Sequence, residues 1–273
     1  MRRLRVVGLG LAAAALVGAL VQLPASPFEQ GYPQRPVAQT STDSTTGESA
    51  KNNPAEPRVQ STPAASNAAP GRPAPQITYP VRGTGGYSVL PGDPATIGTG
   101  GKLFTFQIAI EGGIRGVDRA AFARFVRDTY SAPQGWASGG LYRFRQVGPG
   151  QPADFKLMLV TPATRDSVCG GGFDQYTSCR IGDRVVLNVA RWVQGVPNYG
   201  APLAAYRQYM INHETGHRLG RGHELCPGPG QPAPVMEQQT LGLHGCTAYS
   251  WPYLNGERYK GRLGQYNDSL PTN

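Results

Sequence analysis

The amino-acid sequence predicts an α+β fold for its C-terminal part, with a twisted mixed sheet and two main helices. Leu103 to Glu111 alternates apolar and polar side chains with the period of two that a half-buried strand requires. Short runs rich in β-branched and aromatic residues follow at 141–147, 154–160 and 184–189, separated by loops that contain Gly or Pro. We expect these runs to extend the same sheet.

Two helices are predicted from their end signals and apolar periodicity. The first, a back helix over 118–130, begins at Asp118, whose carboxylate can accept a hydrogen bond from a free N–H of the first turn. The second, near 202–219, begins at Pro202, because a proline in the first turn loses no helical hydrogen bond. Gly220 is placed to end it.

Composition divides the chain into three parts. Residues 1–25 carry three arginines and then an uncharged apolar run, which predicts a signal peptide or an uncleaved signal anchor. Residues 26–75 are rich in Pro, Ser, Thr and Ala and are predicted to be a disordered linker. Residues 76–273 are numerous enough for one folded domain with its own core. We therefore expect an extracytoplasmic protein, secreted or anchored to the cell membrane by its N-terminal apolar segment.

The net charge of +9 does not predict a nucleic-acid partner. Part of the excess belongs to the N-terminal arginines, and the remainder is scattered without a basic run that interleaves aromatic residues. This pattern indicates a solvated basic surface, which leaves room for weak attraction to anionic polymers of the cell envelope.

Four cysteines lie in the predicted domain, at Cys169, Cys179, Cys226 and Cys246. Disulfide bonds persist in exported proteins, so two bridges are expected. Three connectivities are open, and pairing neighbours in sequence, Cys169 with Cys179 and Cys226 with Cys246, closes the two shortest loops. A zinc site made of four cysteines is disfavoured because the sequence has no CxxC pair.

The strongest functional signal is the stretch 213–223, which reads HETGHRLGRGH and contains three of the four histidines of the chain. His213 and His217 are separated by one helical turn, so both imidazoles can reach one metal ion. Glu214 is offset from that face, which suits a general base that takes a proton from zinc-activated water. The residue types and their spacing predict a metal site on a helix.

A third ligand is predicted beyond the end of that helix. Gly220 can adopt a left-handed conformation and turn the chain so that His223 returns to the ion. Three protein ligands leave one coordination position open, as in catalytic rather than structural zinc sites. The sequence thus predicts one catalytic Zn²⁺.

This stretch resembles the metzincin metallopeptidases, which share HExxHxxGxxH followed by a methionine turn beneath the metal. Pro234-Val235-Met236 fits that turn, so the resemblance implies a zincin-like fold and peptide-bond hydrolysis. Over roughly 80–270 the sequence is also similar to an actinobacterial family, the DUF3152 domain proteins, including its HELC and APVMEQQT stretches. The resemblance further places the loop between Cys169 and Cys179 at the rim of a substrate cleft, although a plain surface loop is an equal alternative.

The sequence departs from well-studied metzincins in one respect. Glu224 follows the third histidine as in astacin-like enzymes, but Gln238 stands where those enzymes have a tyrosine. A tyrosine ligand or oxyanion donor is therefore absent there, and Tyr249 and Tyr253 are weak substitutes that are expected to be core or surface residues. His244 has no ligand spacing and is expected to be solvent-facing or hydrogen-bonded.

These patterns together predict an exported, monomeric zinc metallopeptidase that acts on a peptide or protein substrate. One alternative is an amide hydrolase acting on cell-wall peptides, which the location and the basic surface favour. Another is a non-catalytic, zinc-bearing envelope binding protein, suggested by the missing tyrosine. A purely structural zinc domain would need a fourth ligand, for which Glu224 and His244 are poor candidates.

Overall fold

A computed structural model describes residues 76–271 of the chain. The signal or anchor segment predicted over 1–25 and the linker predicted over 26–75 lie outside the described residues. Within the described part, none of the helices combines the length and the apolar character that a membrane crossing requires.

Strands and helices alternate through most of the described chain. In order they are β1 (Tyr87–Val89), β2 (Thr96–Ile97), β3 (Lys102–Glu111), α1 (Arg119–Ser131), β4 (Tyr142–Gln146), β5 (Phe155–Val160), α2 (Pro162–Cys169), β6 (Cys179–Ile181), β7 (Arg184–Asn188), α3 (Val189–Gln194), α4 (Leu203–Arg218), β8 (Tyr253–Leu254) and β9 (Glu257–Arg258).

Seven of the strands form one mixed sheet. Its order is β2-β4-β3-β5-β7-β6, with β1 paired to the end of β3. The central pairs β3–β4, β3–β5 and β5–β7 are parallel, whereas β1, β2 and β6 run antiparallel to their neighbours. The predicted α+β class with a mixed sheet is therefore confirmed. Strand β6 is short and lies at one edge of the sheet, next to the C-terminal helix α4.

The helix-end signals operate as the sequence indicates. The Asp118 carboxylate accepts a hydrogen bond from the Ala121 N–H at 2.9 Å, which caps α1. Pro202 is the residue immediately before α4, and Gly220 follows the helix with φ of +83°. Helices α2 and α3 were not predicted. Both are so short that the spacing of their apolar residues shows no clear helical period.

The prediction that β3 is half-buried is wrong, because the strand is buried on both faces from Phe106 onward. Its apolar face packs against α1 and α4 in the main core. On the opposite face, the Gln107 amide donates to the carbonyl oxygens of Gly148 and Gln151, at 3.0 and 2.9 Å. The Glu111 carboxylate accepts three hydrogen bonds from the start of α2. Polar side chains are tolerated inside because each finds partners there.

Helix α4 is fixed from two sides by buried hydrogen bonds. The hydroxyl groups of Tyr130 and Thr215 are 2.9 Å apart and join α1 to α4. The Trp136 indole N–H donates to the Asn212 carbonyl oxygen at 2.9 Å. The Asn212 side chain in turn donates to the carbonyl oxygen of Ser250, at 2.9 Å. These bonds act on residues within one turn of His213, so they set the position of the HETGH sequence.

The two predicted disulfide bonds are confirmed, with the pairing of sequence neighbours. Cys169 at the end of α2 is bonded to Cys179 at the start of β6, and Cys226 is bonded to Cys246. The described residues contain no free cysteine. Such bonds are typical of proteins outside the cytoplasm.

Candidate metal centre

The three histidines of the 213–223 stretch converge on one point. His213 and His217 lie on the last turns of α4, and His223 follows the turn at Gly220. The Nε2 atom of His217 is 3.2 Å from that of His213 and 3.1 Å from that of His223. The backbone therefore brings together the three residues that the sequence singles out.

The outer nitrogen of each ring is hydrogen-bonded, which fixes the tautomer. His213 Nδ1 donates to the Val235 carbonyl oxygen at 2.8 Å, and His217 Nδ1 donates to the Arg221 carbonyl oxygen at 2.8 Å. His223 Nδ1 donates to Gln265 Oε1 at 2.9 Å. Because an oxygen of this kind only accepts, the proton of each neutral ring lies on Nδ1 and the Nε2 lone pair faces the cluster.

This donor set fits zinc. Two nitrogens bound tetrahedrally at 2.0–2.1 Å from one ion are about 3.3 Å apart, close to the 3.2 and 3.1 Å that separate His217 Nε2 from the Nε2 atoms of His213 and His223. Three unprotonated nitrogens cannot donate to one another, so their lone pairs are available to a cation. Burial holds the pKa of His213 well below its usual range and lowers the pKa of His217 to about 4. Both effects favour the neutral, metal-binding form.

Met236 lies directly beneath the turn of α4 that carries His217. It is fully buried and its sulfur packs against the backbone of Gly216, the residue before His217. A β-carbon at Gly216 would overlap the Met236 sulfur and would approach Trp136 Cζ2 to 2.9 Å. The residue at 216 is therefore a glycine because the methionine occupies the space of a side chain.

Glu214 lies beside the histidines and lines the same cavity, of about 490 Å³. Its side chain is buried, and burial raises the pKa of its carboxyl to about 8, against the smaller opposing effect of Arg165 and Arg180. Within residues 76–271 no group forms a hydrogen bond with its carboxylate. A carboxyl group without a structural partner thus faces the space beside the three imidazoles.

The loop between Cys169 and Cys179 forms part of the wall of this cavity. Asp174, Thr177 and Ser178 line it, together with Arg180 on β6. Arg165 on α2 also lines the cavity, but its guanidinium is paired with Asp174. Of the two alternatives for the loop, the rim of a cleft agrees with this position better than a plain surface loop.

Other residues considered in the sequence lie away from the three nitrogens. Glu224 is buried and its carboxylate pairs with Arg258 at 2.9 Å. His244 is hydrogen-bonded, as expected, and lies between carboxylates. Tyr249 donates to the carbonyl oxygen of Tyr253 at 2.7 Å, and neither residue is among those that line the cavity. Neither tyrosine therefore replaces the one that metzincins carry at the position of Gln238, although Gln238 itself lines the cavity.

A second group of metal-binding residue types lies within the described part of the chain. Cys226, Glu237 and Cys246 bring their ligand atoms within 4.8 Å of one another. The two sulfur atoms are bonded to each other, so neither is a thiolate that could bind a metal. The His213, His217 and His223 group is the candidate centre among residues 76–271.

Three residues of the centre were not found from the sequence. Gln265 contacts His223, Arg180 lies at the cavity wall, and the ring of Tyr209 packs 5.2 Å from that of His213. Tyr209 stands one turn before His213, so helical spacing could have identified it. Gln265 and Arg180 come from distant segments and carry no local signal.

A family model described as "Protein of unknown function (DUF3152)" matches residues 73–257. No curated protein and no solved structure matches the chain. The family match covers all of the histidines, both disulfide bonds and Met236, whereas Gln265 lies beyond it. The chain therefore belongs to the DUF3152 family.

Proposed function

We propose that this chain is an exported zinc-dependent peptidase in which His213, His217 and His223 hold one zinc ion. The observation that carries the proposal is the convergence of three imidazole nitrogens beside the buried carboxyl of Glu214 in one open cavity. Structural zinc sites are closed by four protein ligands, whereas catalytic sites keep one position for substrate or water. Three histidines at a cavity favour the catalytic kind of site.

Zinc held by these residues would supply a Lewis acid that polarises a substrate carbonyl and makes water more acidic. In its ionised form, Glu214 would accept the proton of the attacking water, because its carboxylate is not committed to another group. It would then deliver that proton to the nitrogen of the leaving amine as the carbon–nitrogen bond breaks. The new carbon–oxygen bond comes from water, so no covalent link to the protein is needed.

The residues around the three histidines would keep the centre rigid. Carbonyl oxygens at Val235 and Arg221 hold two of the imidazoles by their Nδ1 protons. Met236 fills the space beneath them. Groups held in this way lose little free energy to reorganisation when charge develops in the transition state.

The architecture that we propose is metzincin-like. Its support is the HExxHxxGxxH pattern on and after α4, together with a buried methionine in the loop that follows. The two disulfide bonds support an extracytoplasmic location, in agreement with the signal segment predicted over residues 1–25. We also propose that the protein acts as a monomer.

The test is hydrolysis of a broad peptide library by the purified full chain, with zinc content measured by elemental analysis. Wild type is compared with Glu214→Gln, which removes the base while keeping the shape of the side chain. Glu257→Gln, at an exposed carboxylate on β9, is the matched control. We expect about one zinc in all three proteins, and cleavage by wild type and Glu257→Gln that falls by about 100-fold or more in Glu214→Gln.

The outcomes separate the proposed peptidase from its alternatives. Cleavage of purified cell-wall peptides, with none in the peptide library, would identify the amide hydrolase of wall peptides. Stoichiometric zinc without cleavage of either substrate would replace the peptidase with a binding protein. Full activity in zinc-loaded Glu214→Gln would remove this residue from the mechanism.

A further inference from the structure

The C-terminal segment, residues 264–271, runs along the candidate metal centre. The Gly264 N–H donates to the His223 carbonyl oxygen at 3.0 Å. The next residue, Gln265, accepts the hydrogen bond from His223 Nδ1 at 2.9 Å. Further along, Leu270 lines the cavity that contains Glu214. The segment therefore contacts the third histidine twice and then forms part of the cavity wall.

His223 differs from His213 and His217 in the group that accepts the hydrogen bond from its ring. His213 and His217 donate to backbone carbonyl oxygens, which no substitution can remove. His223 lies on a loop beyond the helix, and its acceptor is a side chain 42 positions away in sequence. The orientation of this ring consequently depends on a residue that lies outside 73–257, the part matched by the family model.

An aromatic contact and a hydrogen bond, both to His244, anchor the segment beside His223. The ring of Tyr266 stacks on that of His244, with 3.4 Å between the ring centroids and 13° between the planes. Asp268 Oδ1 also forms a hydrogen bond with His244 Nε2, at 3.1 Å. On its other side, His244 Nδ1 is 3.1 Å from the buried carboxylate of Glu237. The segment is thereby tied to the loop that carries Met236.

We propose that Gln265 is a positioning residue of the metal centre: it fixes the tautomer and orientation of His223, and Tyr266 and Asp268 hold it in place. This inference rests on the proposed zinc site. An acceptor for the outer N–H of a histidine ligand keeps the proton away from the metal-binding nitrogen and makes the ring a better ligand. Loss of such a partner typically weakens metal binding about 10- to 100-fold.

The experiment measures zinc affinity of the full chain by competition with a chromophoric chelator. Gln265→Leu removes the acceptor at similar size, and Gln265→Glu keeps an acceptor. Gln134→Leu makes the same change at an exposed glutamine and is the control. We expect zinc dissociation constants about 10- to 100-fold higher for Gln265→Leu, and near wild type for Gln265→Glu and Gln134→Leu.

Two further measurements distinguish positioning from general loss of structure. Circular dichroism of the zinc-free proteins reports whether each variant is folded. In the cobalt-substituted proteins, the visible absorption bands are expected to shift for Gln265→Leu and to match wild type for Gln265→Glu.

Asp268→Ala removes the hydrogen bond to His244 and is expected to lower zinc affinity by less than Gln265→Leu. A zinc affinity equal to that of wild type would overturn the anchoring role of Asp268.

The inference fails if Gln265→Leu binds zinc as tightly as wild type, or if Gln265→Glu is as weak as Gln265→Leu. A wild type that takes up no zinc would overturn both the inference and the proposed function. Zinc uptake without peptide cleavage would overturn the proposed function alone, because the affinity comparison does not depend on turnover.

Discussion

Two disulfide-closed loops border the candidate centre, and they contribute in different ways. The loop from Cys169 to Cys179 spans 10 positions, and Phe173 within it is 77% exposed. The loop from Cys226 to Cys246 spans 20 positions, and Met236 within it is fully buried. In the chain-entropy description each bond stabilises by about 3 kcal/mol, because the dependence on loop length is weak. The difference between them therefore lies in what each loop holds.

The longer loop contacts the candidate ligand His213 and its helix, whereas the shorter loop forms part of the cavity wall. The Val235 carbonyl oxygen accepts a hydrogen bond from His213 Nδ1, and Met236 packs under the turn that carries His217. The shorter loop supplies Asp174, Thr177 and Ser178 to the cavity wall, without a hydrogen bond to any of the three histidines among the described residues. Removal of either disulfide bond should therefore cost similar stability, but the two removals should change zinc affinity by different amounts.

The largest effect is expected when the longer loop is opened by Cys226→Ser combined with Cys246→Ser. The free energy of unfolding should fall by about 3 kcal/mol. Zinc affinity should also fall by about tenfold or more, because the loop that carries the Val235 carbonyl oxygen, the acceptor of His213, is held less firmly. Denaturant unfolding of the zinc-free protein and chelator competition measure the two quantities. Unchanged zinc affinity would show that the bond does not support the centre.

Opening the shorter loop by Cys169→Ser combined with Cys179→Ser sharpens the contrast. Stability should fall by a similar amount, up to about 3 kcal/mol. Zinc affinity should stay at the wild-type value, while KM for a cleaved peptide should rise because the cavity wall is less fixed. A drop in zinc affinity equal to that of the other pair would remove the distinction between the loops.

A substitution at Gly216 tests the contact between the longer loop and α4. Within an exposed helix, Gly to Ala stabilises by about 1 kcal/mol. Gly216→Ala should instead destabilise by about 1–3 kcal/mol, because the new methyl group displaces Met236. Gly222→Ala is the control, since a β-carbon there would meet only Leu263, at 3.9 Å. Thermal unfolding of both variants shows whether each substitution raises or lowers stability. A gain in stability for Gly216→Ala would contradict the packing of Met236 against Gly216.

A smaller, pH-dependent effect is expected at Glu237 in the longer loop. Burial raises the pKa of its carboxyl from 4.5 to about 7, Asp268 acts in the same direction, and the hydrogen bond from His244 opposes both. The folded chain therefore holds this proton more tightly than the unfolded chain, so the stability gained from it is present below about pH 4.5 and lost as pH rises through 7.

The comparison is between wild type and Glu237→Gln, unfolded by denaturant from pH 4.5 to 8. Wild type should lose stability relative to the variant as pH rises, because the amide does not ionise. The exposed Glu257→Gln should show no such trend against wild type. A stability difference that stays constant over this range would contradict the raised pKa.

Local patterns predicted those parts of the molecule in which neighbours in sequence act together. The alternation in β3, the cap at Asp118 and the one-turn spacing of His213 and His217 each depend on a few adjacent residues. Both disulfide bonds close short loops, so pairing neighbours was sufficient. In each case the physical cause lies within the segment that shows the pattern.

The remaining features depend on contacts between distant segments. Gln107 and Glu111 were expected to face solvent, but they are buried because later loops and α2 supply their hydrogen-bond partners. Gln265 and Arg180 reach the centre only through the fold, and their own segments contain nothing that marks them. The sheet order, which brings β6 to the cavity, is likewise a property of the whole chain.

The most direct test of the account is X-ray absorption spectroscopy of the full chain at the zinc edge. We predict about one zinc with imidazole nitrogens at about 2.0–2.1 Å, three of them from protein, and no sulfur ligand. Sulfur at about 2.3 Å would instead assign the metal to the Cys226, Glu237 and Cys246 group and contradict the histidine centre. Absence of zinc from protein purified and reloaded under neutral conditions would contradict the metal site altogether.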